Sequence, residues 1–209
     1  MKIKWITHAC FQIVTDDGKV IYTDPYQIKA GDAADILLIS HDHYDHADSG
    51  SIKKVFQENK TKVICPKTSM SKLKKFNPIG LDPNESTEIN GIKILAVPAY
   101  NPNKQFHPKG NKWIGYIIET GGKRIYHAGD TDVIPEMKEL GKIDVALLPV
   151  GDTYTMGFAD AVEACKVINP TICVPMHDWD KDLTKFSEMV TKDVPSVKVE
   201  ILKGKDLEL

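Results

Sequence analysis

The feature that most constrains the fold is a short apolar run that ends in a cluster of metal-binding residue types. Residues Asp35–Ser40 read Asp-Ile-Leu-Leu-Ile-Ser, which is typical of a β-strand buried on both faces. The next six residues, 41–46, read His-Asp-His-Tyr-Asp-His. A buried strand that ends in imidazoles and carboxylates favours a layered fold with a polar site at one sheet edge.

Four residues of this segment have the arrangement expected of metal ligands. In an extended loop His41, His43 and Asp45 project to one side, and His46 can turn to a neighbouring point. Imidazole and carboxylate are ligands of first choice for zinc and similar ions. The alternative is a polar strand-to-helix turn in which Asp45 caps the following helix and the histidines face water. Three of the seven histidines fall within these six residues, which favours the metal site.

The rest of the chain predicts short strands interspersed with helices, an α/β or α+β layered architecture. The predicted strands are Lys2–Thr7, Phe11–Thr15, Lys19–Thr23, Asp35–Ser40, Lys62–Cys65, Ile92–Pro98, Trp113–Glu119, Lys123–His127, Ile143–Pro149, Thr171–Pro175 and Val197–Leu202. The predicted helices are Ser49–Glu58, Ser69–Phe76, Val133–Leu140, Phe158–Ile168 and Leu183–Lys192. The length of 209 residues suits a single domain over residues 1–209.

Further ligands of the metal site must come from elsewhere in the chain, and three residues qualify. Asp130 and His177 each follow a predicted strand, where α/β-type folds assemble their sites. His107 lies in the predicted loop Asn101–Lys112, and long irregular loops in compact domains tend to be functional.

Composition narrows the partners and the location. A net charge of -2 and a pI near 6.4 predict no nucleic-acid or membrane partner. No secretory signal is visible, and no apolar run approaches the roughly 20 residues needed to cross a bilayer. The four cysteines are scattered and lie in apolar segments, which predicts buried free thiols in a reducing compartment. We therefore expect a soluble cytoplasmic protein. The sequence does not indicate its oligomeric state.

These residues resemble the motifs of metallo-β-lactamase-fold hydrolases. The resemblance is carried by His41-x-His43-x-Asp45-His46, Gly129-Asp130 and the late His177. Three further motifs resemble the small bacterial and archaeal branch that includes ascorbate-6-phosphate lactonase-like proteins: Thr7-His8-Ala9, Asp24-Pro25 and Thr155-Met156-Gly157. The resemblance implies an α+β fold, an αββα sandwich of two mixed sheets flanked by helices, with two metal positions at one edge.

The resemblance also implies the roles of individual residues. The first metal would be held by His41, His43 and a third histidine, and the second by Asp45, His46 and His177. The Asp130 carboxylate would bridge the two metals.

The third histidine of the family commonly follows the strand that corresponds to Ile92–Pro98, where this chain has Ala99-Tyr100-Asn101. Either His107, from the same loop, supplies the third histidine of the first metal site, or Asn101 stands at that position and the first metal is bound more weakly. His107 is the favoured candidate, and a surface histidine beside Pro108 is its alternative.

Other residues are candidates for supporting roles, each with a plainer alternative. His8 is a candidate to line the site or bond substrate, or is a satisfied loop histidine. Asp24 is a candidate to orient a ligand histidine through its ring N–H, or is a turn carboxylate. Tyr100 and Tyr154 are candidate substrate contacts, or half-buried loop aromatics. The start of the predicted helix Phe158–Ile168 is a candidate site for an anionic substrate group.

The predicted activity is hydrolysis of an ester, lactone or phosphodiester bond in a small molecule, with an anionic substrate among the options. A metal-activated hydroxide would attack the carbonyl or phosphoryl centre, and Asp45 would orient it and pass a proton to the leaving group. The expected cofactors are two divalent ions, zinc first, with manganese, iron or nickel as alternatives. A non-catalytic metal- or ligand-binding module on the same fold is the alternative. A metal-dependent oxidoreductase is less favoured, because His43 stands where flavodiiron proteins usually have glutamate.

Overall fold

The computed structural model describes residues 1–209 and contains fourteen β-strands and four α-helices. The strands are β1 Lys2–Thr7, β2 Cys10–Val14, β3 Val20–Thr23, β4 Ile36–Leu38, β5 Lys62–Pro66, β6 Ile79–Leu81, β7 Ser86–Ile89, β8 Ile92–Pro98, β9 Ile114–Thr120, β10 Lys123–His127, β11 Val145–Pro149, β12 Ile172–Met176, β13 Lys198–Val199 and β14 Asp206–Glu208. The helices are α1 Ser49–Val55, α2 Met70–Leu73, α3 Phe158–Ile168 and α4 Leu183–Asp193. Short 3₁₀ helices occur at Lys67–Ser69, Lys74–Phe76, Lys109–Asn111 and Pro135–Glu139.

The strands form two seven-stranded mixed sheets of similar design. The first has the order β14-β1-β2-β3-β4-β5-β6, and the second β13-β12-β11-β10-β9-β8-β7. In the first sheet the neighbouring strands from β14 to β3 pair in antiparallel fashion, and those from β3 to β6 pair in parallel fashion. In the second, β7 to β10 are antiparallel and β10 to β13 parallel. Each sheet therefore combines hairpins with crossover connections.

Alternate residues of the first sheet face different layers, because successive side chains of a strand point to opposite faces. Ile36 and Leu38 belong to the large core shared with the second sheet. Leu37 lies between them and packs on the other face with Ile52 and Val55 of α1. The helices α3 and α4 pack into the large core through buried apolar side chains, including Ala161, Cys165, Phe186 and Val190. The predicted αββα sandwich of two mixed sheets with flanking helices is confirmed.

Several element predictions were wrong in type or extent. The predicted helix Val133–Leu140 is the 3₁₀ helix Pro135–Glu139, because Pro135 at its start and Gly141 (φ +69°) just after it leave no room for an α-helix. The predicted strand Val197–Leu202 is paired only over Lys198–Val199. The edge strands β6, β7 and β14 were not predicted, since each is short and partly exposed.

The residue that caps α1 is Asp48 and not Asp45. Its carboxylate accepts the backbone N–H groups of Gly50 and Ser51. The alternative in which Asp45 serves as the helix cap is therefore wrong, and Asp45 remains available to the site. None of the four helices has the length and apolarity needed to cross a bilayer.

Candidate metal centre

The segments predicted to carry the site meet at one edge of the sandwich. Each follows directly on the end of a strand: β1, β3 and β4 in the first sheet, and β8, β10 and β12 in the second. Parallel strands bring their carboxyl ends to the same edge, so the loops that follow them converge. These loops carry His8, Asp24, His41, His43, Asp45, His46, Asn101, His107, Asp130 and His177.

A first group of ligand-type atoms comes from His41, His43 and His107. One ring nitrogen from each lies within 4.8 Å of the others. The Nε2 atom of His41 is 3.1 Å from the Nδ1 atom of His43. The Trp113 indole packs against all three rings, with centroid distances of 4.7, 4.8 and 5.4 Å. Three imidazoles at this spacing can hold a zinc-like ion.

A second group comes from His8, Asp45, His46 and His177, again with one ligand atom of each within 4.8 Å of the others. The Nε2 atom of His8 is 3.3 Å from Oδ2 of Asp45. The ring of His8 also lies 3.8 Å, centroid to centroid, from that of His177. The structure therefore places His8 inside the cluster, although the sequence assigned it only a supporting role.

The Asp130 carboxylate lies between the two groups. Its Oδ2 atom is 3.3 Å from Nε2 of His107 and 4.0 Å from Nε2 of His41, both in the first group. The same oxygen is 3.4 Å from Nε2 of His46 and 3.3 Å from Nε2 of His177, both in the second. A single carboxylate is thus within reach of both groups.

The unpaired atoms of the cluster fit a bound cation. The Nε2 atoms of His8, His46 and His107 and the Oδ1 atom of Asp130 are buried and have no hydrogen-bond partner. Buried polar atoms without partners are costly and rare in folded proteins. Four such atoms in one small volume, all of ligand type, fit metal ions coordinated by these side chains.

Asp24 holds His46 from behind. Its Oδ2 atom lies 2.8 Å from Nδ1 of His46 and accepts the hydroxyl of Ser40 at 2.7 Å, while Oδ1 accepts the Ser40 backbone N–H at 2.7 Å. The Ser40 hydroxyl also lies 2.9 Å from Nδ1 of His41. Carboxylates in this position orient a ligand imidazole and leave its other nitrogen free for a metal.

Asn101 shapes the loop that carries His107. Its side-chain amide donates to the carbonyl oxygens of Phe106 at 3.0 Å and Tyr154 at 2.8 Å, which uses both of its hydrogens. Its backbone N–H donates to the carbonyl of His107. His107 belongs to the first group of ligand-type residues, whereas the side-chain amide of Asn101 holds the two loops together.

Burial and neighbouring charges set the protonation of the histidines. Burial lowers the pKa of His41 well below its usual value, and burial with the neighbouring His107 lowers the pKa of His43. Both imidazoles are therefore neutral at pH 7, the form that binds metal. Burial also opposes the charged form of His46, but the Asp130 and Asp24 carboxylates outweigh it and raise the pKa of His46 well above the usual value. The centre of the cluster thus favours positive charge.

Two glycines allow the loops to approach the cluster closely. Gly129 has φ +64°, and a Cβ there would lie 3.0 Å from Cβ of Ser40. A Cβ on Gly151 would lie 2.7 Å from Nδ1 of His177 and 2.8 Å from its carbonyl oxygen. Side chains at either position would displace residues of the candidate centre.

A cavity of about 310 Å³ opens above the cluster. Two larger cavities of about 580 Å³ lie elsewhere and contain none of the clustered histidines. The residues that line the first cavity are His43, Tyr44, Asp45, Phe106, His107, Asp130, Tyr154, His177 and Trp179.

Two of the candidate substrate contacts lie away from this cavity. Tyr100 is buried and its hydroxyl bonds to Glu136, in one of the larger cavities. The start of α3 at Phe158 does not line the 310 Å³ cavity either. Sequence reasoning missed four residues of the site: Ser40, Trp113, Phe106 and Trp179. The only signal that could have found them was their proximity in sequence to a predicted ligand or loop.

Comparison with known proteins places this fold and site in a family. A family model for the β-lactamase superfamily domain matches residues 2–177. The chain therefore belongs to the metallo-β-lactamase superfamily.

Its relatives narrow the assignment to one branch. A protein from Thermoplasma volcanium, a UPF0173 metal-dependent hydrolase, is 34% identical over 93% of this chain and 91% of its own. The chain thus falls among the UPF0173 metal-dependent hydrolases, and it is a metal-dependent hydrolase of that superfamily.

Two solved structures are similar over nearly their whole length. A metal-dependent hydrolase from Parabacteroides distasonis is 34% identical, with a TM-score of 0.87 over 95% of this chain and 91% of that chain. Igni18, a metallo hydrolase from Ignicoccus hospitalis, is 27% identical, with a TM-score of 0.81 over 100% of this chain and 98% of that chain.

Proposed function

We propose that the chain works as a single domain over residues 1–209 and hydrolyses an ester, lactone or phosphodiester bond of a small molecule at the histidine and aspartate cluster. The observation that carries the proposal is the position of Asp130 Oδ2, which lies 3.3 to 4.0 Å from ring nitrogens of both ligand groups. A carboxylate within reach of two cation positions is typical of two-metal hydrolytic sites.

In this proposal His41, His43 and His107 would hold one divalent ion, and Asp45, His46 and His177 would hold a second. Asp130 is within reach of both groups and would contribute to holding either ion, and His8 lies close enough to the second group to join it. Zinc is the expected ion, with manganese, iron or nickel as alternatives for the same donors. When bound, such ions lower the pKa of water to about 7 and polarise the oxygen of the scissile bond.

The protein's own contribution to the proposed reaction is centred on Asp45. Burial raises its pKa, but contact with His8 and the charge of His46 outweigh burial and lower it. Asp45 is therefore ionised at neutral pH, and its carboxylate can orient a water molecule and accept its proton. The same carboxyl group can then deliver that proton to the leaving group.

A thiol nucleophile is not part of the proposed mechanism. Cys10 lies two residues after His8, but burial raises the pKa of its thiol to about 12. A protonated, fully buried thiol does not attack substrate.

The test is a panel of uncharged esters and lactones and of anionic phosphodiesters, assayed with protein loaded with zinc, manganese or iron. We expect turnover that a chelator abolishes and that the loaded ion restores. Asp45→Asn keeps a similar shape but removes both the proton acceptor and a proposed ligand of the second ion, so it should lower kcat by about 100-fold or more. Absence of turnover with every ion and substrate class would contradict the proposal and favour a binding module.

A further inference from the structure

An unusual share of the exposed apolar surface surrounds the candidate site. Six large apolar side chains are exposed in the whole protein. Four of them line the 310 Å³ cavity: Tyr44 (72% exposed), Trp179 (52%), Phe106 (45%) and Tyr154 (37%). Exposed apolar residues that gather at one place, rimmed by polar groups, mark a binding surface.

These four aromatic side chains come from four different loops that meet at the cavity. Phe106 and Tyr154 pack edge to face, with their ring centroids 4.6 Å apart. The Asn101 amide ties their two loops together by donating to the backbone carbonyl of each. Trp179 packs against His177 and His8, each at 5.4 Å. The aromatic surface thus continues directly into the ligand cluster.

Outside the histidine cluster itself, the cavity has no cationic side chain that would bind an anion. None of its lining residues is lysine or arginine. The chain has a single arginine, Arg124, whose side chain bonds to Glu119 and to two backbone carbonyls away from the site. Phosphate and carboxylate groups of substrates are usually recognised by arginine or by lysine.

The lysines of the neighbouring loops already have partners or line another cavity. Lys104 bonds to Asp132 and to two backbone carbonyls. Lys181 bonds to the carbonyls of Val150 and Gly151. Lys109 and Lys112 line the separate cavity beside Trp113. None of these ammonium groups is therefore placed to neutralise an anionic substrate in the cavity.

We infer that the site accepts an uncharged carboxylic ester or lactone that carries an aromatic or similarly flat apolar group, in preference to an anionic phosphodiester. The inference rests on the proposed hydrolytic function and narrows its substrate class. The apolar group would lie between the Phe106–Tyr154 pair and Trp179, and the carbonyl would face the cluster. Aromatic stacking favours such a group, and a cavity of about 310 Å³ suits a molecule with one ring.

The kinetic test compares ethyl phenylacetate with ethyl acetate, which have the same leaving group, using metal-loaded protein. Each kcat/KM is divided by the rate constant of alkaline hydrolysis of that ester, to remove intrinsic reactivity. We expect the corrected kcat/KM to be about tenfold or more higher for ethyl phenylacetate than for ethyl acetate. This ratio should fall toward one in the double variant Phe106→Ala/Trp179→Ala. The control is Ile79→Ala, which removes an exposed apolar side chain (37% exposed) outside the cavity. Equal values for the two esters in the wild type would overturn the inference.

A binding measurement separates this inference from the proposed function. Calorimetric titration with phenylacetamide, and with acetamide as the ligand without a ring, reports recognition without requiring turnover. We expect phenylacetamide to bind at least about fivefold more weakly to the double variant than to wild type or Ile79→Ala. If phenylacetamide binds in this way but neither ester is hydrolysed, only the proposed function is contradicted. Equal binding to all three proteins, or hydrolysis of diphenyl phosphate faster than of ethyl phenylacetate, would overturn the inference.

Discussion

The Oδ2 atom of Asp24 lies 2.8 Å from Nδ1 of His46, and both side chains are fully buried. The same carboxylate accepts both the backbone N–H and the hydroxyl of Ser40, the residue that precedes the first clustered histidine. One buried carboxylate therefore connects the end of β3 to the segment after β4. Asp24 therefore positions two residues of the cluster, His46 directly and His41 through the Ser40 hydroxyl.

The first prediction concerns Asp24. Asp24→Asn keeps the volume but removes the negative charge that holds His46, and its amide hydrogens face the donors of Ser40. We expect metal affinity to fall by about 10- to 100-fold, measured by competition with a chromophoric chelator. Asp144→Asn is the control, since that carboxylate accepts the Arg124 backbone N–H away from the cluster. Unchanged metal affinity in Asp24→Asn would show that Asp24 does not position His46 for metal binding.

The second prediction separates His107 from Asn101. His107→Ala should reduce the bound metal by about one ion per chain, because it removes a proposed ligand of the first ion. Asn101→Ala should retain more metal than His107→Ala, since the Asn101 amide bonds to loop carbonyls. His127→Ala is the matched control: His127 is buried, lies outside the ligand groups and has Nε2 2.9 Å from the Ala9 carbonyl. Elemental analysis of the three proteins gives the result, and full metal content in His107→Ala would contradict the assignment.

The third prediction concerns the helix that follows the cluster. Asp48→Ala removes the N-cap of α1 and should lower the free energy of unfolding by about 1 kcal/mol, measured by urea denaturation. Burial raises the pKa of Asp48, but the Ser51 hydroxyl and the backbone N–H groups outweigh it and lower the pKa in the folded state. The contribution is therefore present above the unfolded-state pKa of about 3.9 and is lost as pH falls through the lower folded value. Asp193→Ala, at the exposed end of α4, should cost nothing, and an equal loss in both variants would contradict the capping role.

The fourth prediction tests the close approach at Gly151. Gly151→Ala places a Cβ 2.7 Å from Nδ1 of His177, so the His177 loop must move. We expect a loss of about 1–3 kcal/mol in unfolding free energy, together with weaker metal binding. Gly110→Ala is the control, since nothing lies within 4 Å of a Cβ at that position. Equal unfolding midpoints for both variants and the wild type would show that the contact has no energetic effect.

Much of the fold was predictable because its signals are local. The continuous apolar run before Ser40 is a buried strand in the structure, and the helix Phe158–Ile168 has the predicted bounds. The element Pro135–Glu139 was predicted as a helix of the wrong type, although Pro135 and Gly141 already mark its two ends in the sequence. The short edge strands were missed, because their pairing depends on neighbours distant in the chain.

The candidate site was predictable only in part. The spacing in residues 41–46 points to metal ligation without any structure, because one segment carries the pattern. The place of His8 beside Asp45, and the aromatic surface of Tyr44, Phe106 and Trp179, could not be predicted. Both arise where loops from separate strands converge, and no local periodicity records that convergence.

Elemental analysis by mass spectrometry of the purified, dialysed protein measures directly whether the histidine and aspartate cluster binds metal. We expect about two transition-metal ions per chain, fewer in His41→Ala and Asp130→Ala, and a rise in unfolding temperature when zinc is added to the metal-stripped wild type. No bound metal in the wild type, with added zinc leaving all three proteins equally stable, would contradict metal binding by the cluster.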